Sequence, residues 1–207
     1  TALSNNIQRI KESSLIEVGY NPWYLELNSG WHLLSLPSKI SLSKYSDLNI
    51  SDVFTQEGTT LYKYSIFGWS YWNNDSNINT LGIPKFGSLN SKDAFWLKTD
   101  SNLILYEGII TTDTTNEIRS FITNGWYLVG ANQDYSVTDF ENMVNIQAAS
   151  LNLKVGVIWT YENSSSSKWK VYSNNLTTYD VYEKINIISR HYGAWVYLIQ
   201  DNSINID

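Results

Sequence analysis

The sequence contains no cysteine. Disulfides and thiolate zinc sites are therefore excluded. Charge is sparse as well: Asp, Glu, Lys and Arg make up 16% of the chain, and the net charge is −6. Nucleic-acid affinity comes largely from Lys and Arg, and no basic stripe is present, so no nucleic-acid partner is expected. The two histidines, His32 and His191, sit far apart without metal-ligand spacing, and His32 reads as structural. The longest apolar run, Ala194–Ile199, is far too short to span a bilayer, so no membrane insertion is expected. No Gly-x-Ser-x-Gly, Walker or dinucleotide fingerprint occurs, and neither catalytic residues nor a cofactor is predicted. No signal peptide is visible; Thr1-Ala2-Leu3 reads as a mature or trimmed terminus.

Aromatic residues are what the chain has in abundance: 9 Trp, 15 Tyr and 6 Phe, within a hydrophobic share of 43%. That is ample material for a core and argues against disorder. Their arrangement repeats. Gly30–Ser35 reads GWHLLS and Gly125–Gly130 reads GWYLVG. Three further landmarks follow each in the same order. Leu61-Tyr62-Lys63-Tyr64 matches Ile158-Trp159-Thr160-Tyr161, Trp69-Ser70-Tyr71-Trp72 matches Trp169-Lys170-Val171-Tyr172, and Ala94-Phe95-Trp96-Leu97 matches Ala194-Trp195-Val196-Tyr197. The offset is 95 at the first landmark, 97 at the second and 100 at the last two. Such self-similarity marks a repeat architecture, and its length suits two small tandem units. Small insertions in loops absorb the drift.

The pattern along the chain predicts a short helix in Ser4–Glu17, then a strand at Trp23–Leu27 able to pair with Trp31–Leu36 as a hairpin. Ser43–Phe54 has near-helical spacing. Its counterpart begins at Ser136, with Asp139 three residues on as a capping box and Phe140, Met143, Val144 and Ile146 beyond. Strands are expected at Thr60–Ser65, Trp69–Trp72, Phe95–Lys98, Leu103–Ile110, Gly156–Tyr161 and Trp195–Ile199. Ile78–Leu89 reads as irregular, and Tyr179–His191 as a helical turn or two. The predicted class is α+β and β-dominated, with two tandem related modules of short strands and few short helices. The divisions are residues 1–28 for an N-terminal helix and strand, 29–106 for the first module, 107–123 for a connector and 124–207 for the second.

Gly30–Pro37 (GWHLLSLP), Trp159-Thr160-Tyr161 and Tyr192-Gly193-Ala194-Trp195-Val196 resemble the Gly-Trp-Asn-Leu-Ile-Ser-Leu-Pro type of aromatic-rich module of bacterial and archaeal secreted or surface proteins. The resemblance covers about residues 29–202. The first copy departs with Tyr62 where Trp is usual, and the second lacks Leu-Pro after GWYLVG. The resemblance implies extracellular or cell-surface display and transfers no catalytic residue.

Side chains alternate between the faces of a strand. With Trp69 and Tyr71 turned inward, Ser70 and Trp72 face out; with Trp169 and Val171 inward, Lys170 and Tyr172 face out. The recurring tryptophans Trp31, Trp69, Trp96, Trp126, Trp169 and Trp195 read as core. An outward Trp72 and Tyr172, with Ser70, Lys170, Asn73 and Asp75 nearby, form a candidate face for stacking a sugar ring and bonding its hydroxyls. Glu57, Asp93, Glu162, Asp180 and Glu183 form no recognisable pair for glycoside hydrolysis. The resulting expectation is a non-catalytic binding module whose partner is a polysaccharide or glycan. The alternatives are a structural or adhesive module engaging a surface protein, and a hydrolase of cell-wall polymers.

Overall fold

The structure is a computed structural model that describes residues 23–35, 48–49, 54, 56–74, 82–86, 88–89, 93–107, 121–131, 133–163, 166–174, 181–190 and 192–202. The predicted helix in Ser4–Glu17 lies outside the described residues, as do Pro37, most of the 107–123 connector and the last five residues. The described chain is dominated by strands. In order these are β1 (Trp23–Leu27), β2 (Gly30–Ser35), β3 (Leu48–Asn49), β4 (Thr60–Ser65), β5 (Gly68–Asn73), β6 (Ser88–Leu89), β7 (Ala94–Thr99) and β8 (Leu103–Glu107). Then follow β9 (Gly125–Gly130), β10 (Tyr135–Ser136), helix α1 (Val137–Ala148), β11 (Leu153–Tyr161), β12 (Trp169–Tyr172), β13 (Glu183–Lys184), β14 (Ile187–Ile188) and β15 (Gly193–Gln200).

Two sheets carry the fold. The first has four strands in the order β2-β7-β4-β5, and the second has five in the order β9-β15-β11-β12-β13. Each places its Gly-Trp strand at one edge, antiparallel to the last strand of its own set. The registers agree closely. Trp31 faces Lys98 and Leu33 faces Trp96 in one sheet; Trp126 faces Tyr197 and Leu128 faces Trp195 in the other. Tyr62 sits between Trp96 and Tyr71, as Trp159 sits between Trp195 and Val171. These pairings align Trp96 with Trp195, an offset of 99 rather than the 100 that the Ala94/Ala194 match suggested.

Several expected elements change. The predicted β1–β2 hairpin does not form: β1 pairs with β8, Leu27 opposite Leu103. Gly30, at φ +125°, turns the chain out of hairpin register between them. Within Ser43–Phe54, Leu48–Asn49 are a strand paired with Ser88–Leu89, not helix. Residues 183–184 of the predicted helical turn instead run parallel to β12, where the open sheet edge accepts their backbone bonds. β11 begins at Leu153 and bulges at Gly156.

Ser136 caps α1 as the sequence suggests, but Asp139 returns a bond to its hydroxyl, so the predicted capping box forms in part. Ser136 Oγ accepts from Asp139 N at 3.1 Å and donates to the Asp139 carboxylate at 2.6 Å. From there α1 lays Val137, Phe140, Val144 and Ala148 on the second sheet, while Ile146 points to solvent. Beyond it Asn152 takes the left-handed conformation and the chain turns into β11.

Each sheet covers its two faces differently. One face of the second sheet, with Tyr127, Val129, Ile158, Val196 and Leu198, packs under α1. The corresponding face of the first, with Leu34, Leu61, Phe95 and Leu97, packs with Phe54, Leu27, Leu89 and Leu103. The remaining faces meet each other through Leu33, Ala94 and Leu128, with Tyr64, Trp96, Tyr161 and Trp195 around them. The junction is tight. Antiparallel bridges join Leu34 to Tyr192 and Asp93 to Val129. Ser35 Oγ lies 2.9 Å from Tyr192 O and 3.1 Å from Ala131 O, and donates into that carbonyl pair. Buried Asp93 is ion-paired with Lys63.

At Gly193 a Cβ would stand 2.5 Å from Ala94 Cβ and 2.8 Å from Leu34 O. Gly193→Val is therefore expected to lower stability by about 2–3 kcal/mol through overpacking, read as a lower urea midpoint at unchanged m-value. His32 is buried, and its Nε2–H donates to Asn28 O at 2.7 Å. Burial holds its pKa below the ordinary 6.5, partly offset by that hydrogen bond. The unfolded chain therefore protonates first as pH falls below about 6.5, and stability falls with it. His32→Gln is expected to flatten the stability profile in that window, measured by denaturant titration at a series of pH values.

Candidate functional site

Aromatic side chains dominate the faces that the two sheets turn toward each other. Trp31, Trp96, Tyr62, Tyr64 and Trp69 belong to the first sheet. Trp126, Trp195, Trp159, Tyr161 and Trp169 belong to the second. The sheets touch around Ala94 and Gly193 and leave two open grooves away from that contact. One groove, of about 590 Å³, is lined by Trp31, Tyr62, Trp69, Ile83, Trp96 and Tyr161. The other, of about 500 Å³, is lined by Trp126, Trp159, Trp169, Tyr182, Trp195 and Tyr64. Both volumes fall in the range of small-ligand sites.

The two linings correspond position for position. Trp96 meets Tyr161 at 5.1 Å and Trp169 at 5.7 Å between ring centroids. Trp195 meets Tyr64 at 5.2 Å and Trp69 at 5.8 Å. Trp31 packs edge-on to Trp96 at 6.2 Å, and Trp126 edge-on to Trp195 at 6.0 Å. Each groove therefore takes one tyrosine from the opposite sheet. Edge-to-face contacts of this kind fix ring orientation, each contributing about 0.5–1.5 kcal/mol beyond area burial.

Trp31, Trp69, Trp126 and Trp169 are not core, contrary to the expectation for them, whereas Trp96 and Trp195 pack against the buried Leu33, Ala94 and Leu128. Trp31, Trp69, Trp126 and Trp169 are 40, 39, 41 and 37% exposed, and Trp96 and Trp195 are half-buried. The facing of the Trp strands is likewise the reverse of the prediction. Trp72 packs onto the first core, 6.4 Å from Phe54. Tyr172 packs onto the second, and its hydroxyl donates to Glu141 at 2.8 Å. Asn174 Nδ2 donates to the other oxygen of the same buried carboxylate at 2.6 Å. Burial and the Glu141 charge together push the Tyr172 phenol above its ordinary pKa. The cause is simple: each sheet is covered on both faces, so the side carrying more tryptophan need not be the core side.

The other expected site residues are scattered. Ser70 Oγ donates to Lys63 O at 3.4 Å within its own hairpin. Lys170 pairs with Glu162 at 2.7 Å and Glu183 at 3.3 Å, which raises its pKa. Asn73 ends β5 opposite Thr60. Asp75, Asp180 and His191 lie outside the described residues. From the Ser-rich loop, Asn163 Nδ2 donates to Ser29 O at 3.2 Å and ties that loop to the start of β2. Asp93 and Glu141 are buried in structural pairs, and Glu57 is exposed. Sequence reasoning missed Tyr64, Tyr161, Tyr182 and Ile83 as groove residues. The aromatic-x-Tyr spacing within each middle strand was the available signal for the two strand tyrosines, since Tyr62 and Tyr64 share one face, as do Trp159 and Tyr161.

Among the described residues no cluster of His, Cys, Asp or Glu has the make-up of a metal site, and no helix is long and apolar enough to cross a membrane. Tyr172→Phe is expected to cost about 1–2 kcal/mol, because it removes a donor from buried Glu141. Chemical denaturation measures this; an unchanged midpoint would contradict the inward placement. No family model, curated protein or solved structure matches this chain.

Proposed function

We propose that this chain is a non-catalytic binding module of a secreted or surface protein, with carbohydrate as its ligand and the two inter-sheet grooves as its sites. The reading rests on one observation: four tryptophans, each more than a third exposed, line two open grooves. Exposed rings gathered in a groove leave unused stabilisation available to a ligand. A pyranose places its C–H face on such a ring while its hydroxyls stay toward water, tyrosine hydroxyls and indole N–H groups. The face of β5 that carries Trp72, and the face of β12 that carries Tyr172, are thereby set aside as the binding surface.

We also propose that the grooves belong to two tandem copies of one unit, residues 29–106 and 124–207. Support comes from the common strand order and from the matching register around Trp31, Trp96 and Tyr62 and around Trp126, Trp195 and Trp159. The short ladders β3–β6 and β10–β14 add a further correspondence. A second reading, an adhesive module for a protein partner, is favoured by the β4–β5 turn, where Phe67 is 90% exposed beside exposed Ile66.

Screening of the labelled chain on a broad glycan array tests the first reading. A reproducible hit is expected, with affinity lowered at least about tenfold in a Trp31→Ala/Trp126→Ala double variant of native circular dichroism, the loss of two stacked rings being worth more than 1.4 kcal/mol. A blank array, with concentration-dependent sedimentation abolished by Phe67→Ser, would replace it with the adhesive reading.

A further inference from the structure

We infer that the chain is bivalent for an uncharged polysaccharide, with two corresponding sites of unequal strength, each completed by a tyrosine from the opposite sheet. This rests on the carbohydrate reading above and sharpens it to a ligand class, a stoichiometry and an order of affinity.

The ligand class follows from charge. Among the described residues, the linings of both grooves consist of Trp, Tyr and Ile. The cations beside the first lining have partners of their own: Lys98, opposite Trp31, pairs with Asp100 at 3.2 Å, and Lys85 stands 5.6 Å over the Tyr71 ring. A uronic acid or sialic acid brings a carboxylate that needs a cationic partner once desolvated. Neither described lining includes a cation, and the net charge of −6 repels an anionic polymer. A neutral hexose or N-acetylhexosamine polymer presents flat C–H faces without that cost.

The stoichiometry follows from the correspondence of the two linings. Trp31, Tyr62, Trp96 and Tyr161 in one groove stand where Trp126, Trp159, Trp195 and Tyr64 stand in the other. The inequality follows from the positions that differ. Trp159 replaces Tyr62 and makes an edge contact with Tyr182 at 4.7 Å, where the first groove has Ile83. Tyr197 lies against Trp126 at 4.9 Å, where the first sheet has Lys98 beside Trp31. The second groove thus offers more oriented ring surface, and stacking strength follows ring area. It is the stronger site. Two sites on one chain also raise the avidity for a polymer long enough to reach both.

Isothermal titration of the whole chain tests this, with cellohexaose, laminarihexaose and chitohexaose as neutral probes, hexagalacturonate as the anionic probe and decaproline as a peptide probe. The expected result is two sites per chain for at least one neutral probe, with affinities differing severalfold, and no binding of hexagalacturonate. Trp126→Ala is expected to remove the tighter site and Trp31→Ala the weaker one. Tyr64→Ala is expected to weaken the Trp126 site and Tyr161→Ala the Trp31 site, each across the sheet junction. A single neutral-sugar site, or a hexagalacturonate affinity equal to that for the neutral probes, overturns the inference while leaving the carbohydrate reading standing. Binding of decaproline alone, or of no probe, overturns both. The wild-type stoichiometry decides between one site and two even where a variant fails to fold.

Discussion

The close approach at Gly193 governs the arrangement of everything around it. Packed sheets ordinarily stand about 10 Å apart, with side chains from both filling the gap. Here a glycine meets Ala94 and the Leu34 carbonyl so closely that even a methyl group would collide. Backbone bridges at Leu34–Tyr192 and Asp93–Val129 then bind the sheets at one corner. Twisted sheets that touch at one place diverge on either side of it. The aromatic residues farther along the same faces cannot all close against each other, and the two grooves are the space that remains. The tryptophans are therefore half-exposed because of a constraint at a residue that has no side chain.

Much of this architecture is legible in the sequence, and the failures have identifiable causes. The recurring strands were visible as four aromatic landmarks, and Ser136 with Asp139 announced the one long described helix. Which way the strands face was not visible. Alternation says that Trp69 and Trp72 lie on opposite sides of β5, but the core side can be chosen only when one face is solvated. Here one face meets Phe54 and the other meets the second sheet, so both read as apolar. The closing strands show a different trap. Ala94 and Ala194 look equivalent, yet the ladder to β4 and β11 pairs Trp96 and Trp195 with the matching residues Tyr62 and Trp159. Long-range pairing, as of β1 with β8, was equally hidden, because nothing local to Trp23–Leu27 names its partner.

Polar side chains do a separate job under the sheets. Glu141 is buried on α1 and satisfied by Tyr172 and Asn174, which fixes the helix over β12. Lys63 and Asp93 act similarly at the junction, and Ser35 satisfies carbonyls there that the sheet ladders leave over. Such groups are costly if left single and orienting when paired. They hold the two cores in register, so that the groove faces keep a fixed geometry without contributing charge to it.

The Ala94–Gly193 contact carries one more implication under the tandem reading. The register makes these two residues counterparts, and they meet across the line that relates the halves. An assembly of two identical separate chains would have to place the same residue on both sides. Two alanines would collide at this spacing, and two glycines would leave a void. Joining the halves in one polypeptide lets each side differ, so a small residue can face a smaller one. The same freedom lets Trp159 and Tyr182 diverge from Tyr62 and Ile83. Under that reading, covalent fusion is what allows the two halves to fit closely while their groove linings diverge.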